Sequence, residues 1–384
     1  MKPCILPWIN FGTNTTGRPR VCGYSDIESQ LKTMMEWPPP ESYVKEYKLE
    51  NSTIEKEWNN EYFKKIRETF LNNEWPENCS RCRHVEELGG TSKRMDENHM
   101  WYDQYKHLIG QEVNYYPPHI DVRTGTVCNF KCIHCSPAAS SRWMEDYELA
   151  KSYGFSYDIA DNTWIAKDNS FWDSLDISKI KRYNFLGGES FYNKRHNEFI
   201  KRLNESEYAK DVEIAYVSNG SLKFDNMNNF KKVRLRLSVD CAEEAGEYFR
   251  FGINWNEWCD NISKFPDNFD VSFQWTCSNV SMFYLKETYT YMRTEFPEIR
   301  FLFENHVTEP YHMSAQNLPI EIKEQIVKDI DFIDMPESYV NYMMEKDGWD
   351  GKLISYLNDL DKVRNTNWRK SLSGLATQLR MYDN

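Results

Sequence analysis

The chain has 384 residues, enough for two or three domains or for one barrel with additions, and it contains no apolar run approaching the roughly 20 residues needed to cross a bilayer. A net charge of −12 argues against a general nucleic-acid-binding surface, since Lys and Arg make the phosphate contacts. Ten cysteines in a chain this long, which opens MKPCILPW with no basic region followed by an apolar signal core, point to a reducing, cytoplasmic compartment and not to disulfides.

The segment from Met1 to about Pro118 has few strong strand patterns. Cys4 and Cys22 bracket a turn-rich stretch in which Gly12, Gly17 and Pro19 are turn residues, which reads as a β-hairpin with a cysteine at each base. Trp58, Tyr62, Phe63, Ile66 and Phe70 then recur at helical spacing, and that helix ends before Pro76. Cys79-Ser-Arg-Cys82 follows. A Cys-x2-Cys knuckle presents two thiolates to one metal, so this segment supplies four ligands in all. On ligand chemistry alone zinc and an iron–sulfur centre are equally good occupants.

From Pro117-Pro118 the pattern changes. His119–Arg123 alternates as a short strand and feeds Cys128-Asn-Phe-Lys-Cys132-Ile-His-Cys135. Three cysteines at these spacings converge on one metal only if the backbone loops tightly, which fits a cluster and not a disulfide. A four-iron cube with three thiolates keeps one iron open to a substrate or cofactor, as an open position separates catalytic from structural zinc. Ser136-Pro137 opens a helix expected to run to Tyr153 and stop at Gly154, and residues 155–178 are less regular.

Strands over 181–186, 212–217, 233–239, 271–277 and 299–303, separated by helical patterns, complete a set of six and imply a parallel sheet. Their C-terminal ends carry Gly187-Gly188-Glu189, Ser218-Asn219-Gly220, and Ser238 followed twelve residues on by Arg250. The two glycines let backbone approach a ligand, Glu189 offers a carboxylate to an ammonium, and a Ser–Arg pair can clamp a carboxylate. Cys277, at another strand end, is a candidate hydrogen donor or ligand, although buried free cysteine is common. Beyond residue 304 a loop and several helices, the first over 318–333, are expected to cover the open side of the sheet; nothing in them reveals a substrate.

With a strand before it and a helix after, the Cys128, Cys132, Cys135 motif resembles the radical S-adenosylmethionine superfamily. The resemblance implies an α/β fold built on a partial (β/α)6 TIM-like barrel. In that superfamily the open iron chelates the amino and carboxylate groups of S-adenosylmethionine, and an electron from the [4Fe-4S] cluster cleaves the cofactor to a 5′-deoxyadenosyl radical. It implies that Gly187, Gly188 and Glu189 hold the cofactor's amino group, that Ser238 and Arg250 bind its carboxylate, as in sulfatase-maturase-like members, and that Ser218 and Asn219 contact its ribose or amino-acid part. His134 stands where the family usually has an aromatic residue packed on the adenine; an imidazole can stack there, or titrate.

Cys4-x12-Gly17-x4-Cys22, with Pro7-Trp8, is similar to the opening of the auxiliary-cluster modules called SPASM and twitch, although the module here precedes the barrel. The resemblance implies one auxiliary iron–sulfur cluster, [4Fe-4S], on Cys4, Cys22, Cys79 and Cys82, with zinc as the alternative. The expected layout is a twitch-like domain over 1–118, the barrel over 119–304 and a helical extension over 305–384. The implied activity is hydrogen abstraction from a peptide or protein side chain, supported by a reductase such as flavodoxin or ferredoxin, with no membrane and no nucleic-acid partner. A small-molecule or nucleotide substrate is the alternative. So is a non-catalytic zinc or iron–sulfur protein.

Overall fold

The computed structural model describes residues 2–25, 49, 52–87, 90–155, 163–222, 227–266 and 269–383. Within the expected irregular stretch, residues 156–162 lie outside the described residues. The fold is mixed α/β. Its strands are β1 (Asn10–Thr13), β2 (Pro19–Arg20), β3 (His119–Arg123), β4 (Arg182–Leu186), β5 (Glu213–Ser218), β6 (Lys232–Ser238), β7 (Phe269–Cys277) and β8 (Arg300–His306). They form one eight-stranded sheet of order β2-β1-β3-β4-β5-β6-β7-β8. By compactness the chain divides into one unit of Met1–Gly125, Ala160–Ala215 and Asn226–Val233, and another of Thr126–Ile159, Tyr216–Asp225 and Arg234–Asn384. Among the described residues, no helix is long and apolar enough to cross a membrane.

In the first unit the expected hairpin is present, with β1 and β2 antiparallel. Gly17 closes its loop at φ +80°, and the Asn14 carboxamide accepts from the N–H groups of Thr16 and Arg18. Two features were not legible. Leu6–Ile9 is a helical turn, with Pro7 in the first-turn position where its missing N–H leaves no bond unmade. And β1 pairs in parallel with β3, Asn10 opposite His119, so the hairpin lengthens the sheet beyond the six strands expected. That placement buries every residue of β1 and explains its lack of polar alternation.

The helical stripe from Trp58 to Phe70 is split. Asn60 accepts from the Phe63 N–H and starts a fresh helix over Glu61–Leu71, which buries Tyr62, Phe63, Ile66 and Phe70. Phe63 stacks on Phe11 of β1 at 5.5 Å. β3 and β4 are parallel in register from His119↔Arg182 to Arg123↔Leu186, and the helix Lys194–Asn204 follows β4, capped by Asn193.

In the second unit β7 and β8 are parallel, as expected. The helix anticipated from Ser136 instead begins as a 3-10 segment, Ser141–Asp146, and continues as Tyr147–Ser152; it stops at Gly154, whose φ is +72°. The continuous pattern over 242–264 is two helices, Glu243–Phe249 and Trp255–Ile262, separated at Gly252 with φ +115°. Helices Ile320–Asp329, Glu337–Met344, Lys352–Arg364 and Ser373–Leu379 bury Ile322, Met343, Leu357 and Leu375 in one apolar cluster with Trp143, Trp275 and Cys277. Each such side chain contributes about 1.5–3 kcal/mol by leaving water.

Candidate functional site

The cysteine loop belongs to the second unit and is fixed on several sides. Lys131 and Ile133 donate their N–H groups to the carbonyls of Phe251 and Phe249, at 3.0 and 2.8 Å. The Trp143 indole donates to the Cys132 carbonyl at 3.0 Å, and the Tyr356 hydroxyl to that of Ile133 at 2.5 Å. Gly252 makes the approach possible, because a Cβ there would stand 3.0 Å from Phe130 Cδ1 and 3.1 Å from the Asn129 carbonyl. Beneath the loop, the Asp146 carboxylate lies between Lys131 Nζ at 2.8 Å and Arg364 Nε at 2.8 Å, all three buried. The helix Lys352–Arg364 thus holds the cysteine loop directly, through Arg364 on Asp146 and Tyr356 on the Ile133 carbonyl.

Donors surround the thiols. Asn219 Nδ2 lies 3.9 Å from Cys128 Sγ and 2.8 Å from Asn129 Oδ1, the Phe130 N–H lies 3.5 Å from Cys128 Sγ, and Arg250 Nη1 lies 4.0 Å from Cys132 Sγ. A hydrogen bond from Cys135 holds the Cys132 thiol below its ordinary value against the opposing effect of burial, with Arg250 adding to the lowering. Cys135 is pushed up, first as the donor to Cys132 and then by burial. Arg250 Nη2 pairs with Asp240 Oδ2 at 2.6 Å. Burial alone would lower the guanidinium; Asp240 and then the Cys132 and Cys135 sulfurs raise it above its usual range. His134 packs on Phe249 at 5.0 Å and is lowered by burial, so its ring is neutral near pH 7.

Three buried polar atoms in this neighbourhood, His134 Nδ1, Asp240 Oδ1 and Arg250 Nε, have no hydrogen-bond partner among the described residues. A small polar ligand with a carboxylate and donor groups suits that set, since orphaned buried groups are otherwise expensive. Three cysteines on one tight loop, each beside an N–H or guanidinium donor or a second thiol, offer the donor chemistry that an iron–sulfur cluster takes. Ser218 is buried at the end of β5, its hydroxyl accepting from the Gly220 N–H at 3.1 Å, and Ser238 ends β6. Cys277 is fully buried in the apolar cluster, and burial raises its thiol.

The Gly-Gly-Glu turn belongs to the first unit. Gly187 and Gly188 have φ +87° and +48°, and a Cβ on Gly187 would stand 3.0 Å from the Gly125 carbonyl. The Thr124 hydroxyl ties this turn to the end of β3, 3.1 Å from the Gly187 carbonyl and 3.0 Å from Ser190 Oγ. Glu189 is buried at 1% exposure, its carboxylate accepting from the Phe191 N–H at 3.4 Å.

The four N-terminal cysteines lie in the first unit, near enough for their charges to influence one another. Burial, and next the fields of Cys22, Cys79 and then Cys82, hold the Cys4 thiol well above its ordinary value; Cys79 and Cys82 are raised by burial and by Cys22. Asn98 grips the chain on both sides of Cys4, accepting from the Ile5 N–H at 2.8 Å and donating to the Pro3 carbonyl at 2.9 Å. The Tyr62 hydroxyl links Ser25 beside Cys22 to Asn78 beside Cys79, at 3.2 and 3.1 Å. A donor set of four sulfurs fits zinc or an iron–sulfur centre equally. Among the described residues, no three His, Cys, Asp or Glu side chains converge closely enough to hold a metal ion.

Asp240, Asp146, Arg364 and Tyr356 had no signal in the sequence that marked them. Asp240 at a strand end beside Ser238 was the most accessible. The other three act through tertiary contacts with the loop.

The sequence matches no family profile and no curated protein. Among solved structures it is similar to a tagged form of anSMEcpe with bound AdoMet, at 17% identity over 56% of this chain and 58% of that one, with a TM-score of 0.40. It is similar to TYW1 with a lysine-pyruvate adduct bound, at 15% identity over 56% and 74%, TM-score 0.33. It is also similar to Streptococcus suis SuiB bound to S-adenosylmethionine, at 13% identity over 66% and 58%, TM-score 0.34. The chain spans less than two thirds of the anSMEcpe and SuiB chains.

Proposed function

We propose that this chain is a radical S-adenosylmethionine enzyme built on a partial (β/α)6 barrel over 119–304, with a twitch-like segment over 1–118 and a helical extension over 305–384. The observation that supports this reading is the loop itself: Cys128, Cys132 and Cys135 on a tightly pinned turn, with Asn219 and Arg250 donating toward their sulfurs and three orphaned polar atoms beside them. These cysteines would hold the [4Fe-4S] cluster, and Arg250, Ser238, Asn219, Ser218, His134 and the Gly187–Glu189 turn would hold S-adenosylmethionine. When bound, cluster and cofactor supply one-electron reductive cleavage and hydrogen-atom abstraction.

The chain's own residues orient and polarise. Asp240 fixes the Arg250 guanidinium, whose charge favours the Cys132 thiolate and whose free Nε is available to a carboxylate. Gly187 and Gly188 bare their backbone at positive φ, and Glu189 carries a carboxylate suited to an ammonium. Cys4, Cys22, Cys79 and Cys82 would hold an auxiliary iron–sulfur cluster, and the substrate would be a peptide or protein side chain, with an electron carrier of the flavodoxin or ferredoxin type as partner. The cysteine module is what favours that substrate class.

Metal analysis after anaerobic reconstitution with iron and sulfide tests the ligand sets. About eight irons per chain are expected, falling to about four in either Cys132→Ala or Cys79→Ala. Zinc in place of the Cys79-dependent half would overturn the auxiliary cluster alone. Iron content unchanged by Cys132→Ala would overturn the reading of the loop.

A further inference from the structure

A cavity of about 480 Å³ opens in the first unit at the N-terminal ends of the strands. His119 begins β3, Arg182 begins β4, Glu213 begins β5, and Lys231 immediately precedes β6. The Gly-Gly-Glu turn of the same unit follows the C-terminal end of β4, so this cavity lies at the other end of the parallel strands. Its volume is within the range of about 300–1,000 Å³ typical of small-molecule sites.

Its frame is hydrogen-bonded backbone. Lys181 donates its N–H to the Pro118 carbonyl at 2.8 Å, Glu213 to Lys181 at 2.9 Å, and Lys231 to Val212 at 3.0 Å. On one wall Trp101 meets the edge of His119 at 4.7 Å and carries the Arg182 guanidinium at 5.1 Å, with Tyr105 beside them. Four cations, Lys181, Arg182, Lys210 and Lys231, line the cavity against two carboxylates, Asp211 and Glu213, in a chain whose net charge is −12. Lys231 is 3.8 Å from Glu213, and Arg182 is 3.9 Å from Glu97. Lys181 and Lys210, both exposed, have no ion-pair partner among the described residues.

Two unpartnered ammonium groups beside a carboxylate-bearing rim select a ligand that carries both negative charge and hydrogen-bond donors. A simple polyanion would leave the Asp211 and Glu213 carboxylates without donors; a neutral ring compound would leave Lys181 and Lys210 unused. We propose that this cavity binds a nucleotide of nucleoside-diphosphate size. Its phosphates lie against Lys181 and Lys210, its hydroxyl or amino donors face the two carboxylates, and its ring lies along the Trp101 and Tyr105 wall. The site is independent of the cluster reading, since it shares no residue with the cysteine loop or the Gly-Gly-Glu turn.

Calorimetric titration of the full chain with ADP, adenosine and inorganic pyrophosphate tests it. ADP is expected to bind saturably at one per chain, and more weakly as salt is raised. Lys181→Glu with Lys210→Glu should weaken it by about tenfold or more, and the milder Lys210→Gln by about threefold, while Cys132→Ala leaves it intact. Absence of saturable ADP binding overturns the proposal, as does equal affinity in the lysine variants. Adenosine or pyrophosphate binding as tightly as ADP overturns the nucleotide assignment. Loss of ADP binding in Cys132→Ala would place the ligand at the cysteine loop instead.

Discussion

Arg250 is held from two directions, by Asp240 at 2.6 Å and toward Cys132 Sγ at 4.0 Å, and it is buried together with its carboxylate partner. A planar fork can serve both while keeping Nε for a ligand; a single ammonium cannot. Arg250→Lys is therefore expected to keep its iron but to bind S-adenosylmethionine about tenfold more weakly or worse, as measured by equilibrium binding to the reconstituted protein. Unchanged affinity would remove Arg250 from the cofactor site. Asp240→Asn should weaken binding in the same direction, because the guanidinium then loses the charge that orients it. Arg250 stood out in the sequence only through the family resemblance, twelve residues after Ser238. Asp240 was not, because a lone carboxylate at a strand end declares its partner only when the chain has folded.

At the scale of elements, Gly252 and Arg364 carry the loop. An Ala at 252 must adopt φ +115° and press its Cβ to 3.0 Å from Phe130, so Gly252→Ala should destabilise the protein by about 1–3 kcal/mol and reduce iron uptake at the Cys128–Cys135 site. Denaturant unfolding beside metal analysis would show both, and wild-type iron content would contradict the argument. Arg364→Met leaves Asp146 paired with Lys131 alone in a buried setting, which should cost about 3 kcal/mol, read from the same unfolding curves.

The strand cores of β3 to β8 were readable from alternation and from the turn residues that end them. The Leu6–Ile9 turn and the parallel pairing of β1 were not, because β1 is too short for a period and is buried throughout. The split at Gly252 was missed because Tyr248, Phe249 and Trp255 continue an apolar pattern across it. The helices after residue 304 were legible as amphipathic segments, but that one of them anchors the cysteine loop through Tyr356 and Arg364 is purely tertiary information.

At the scale of the whole molecule, His119, His196 and His312 are buried in neutral form. Burial, and Arg182 after it, lowers His119 to about 3; burial lowers His196 and His312 to about 4. The unfolded chain takes up these protons below pH 6.5 while the folded chain does not, so stability falls as pH drops through that window and stops falling at the folded values. Each histidine contributes up to about 1.4 kcal/mol per pH unit. Urea midpoints should decrease steadily from pH 7 to pH 4.5, and His196→Gln should flatten the slope. A midpoint independent of pH over that interval would contradict the burial of these rings.

Anaerobically reconstituted protein, given S-adenosylmethionine and a strong reductant, is predicted to release 5′-deoxyadenosine, with release abolished in Cys132→Ala and retained in Cys79→Ala, whose cysteine lies in the other set. Absence of both release and S-adenosylmethionine binding in fully iron-loaded protein would contradict the account.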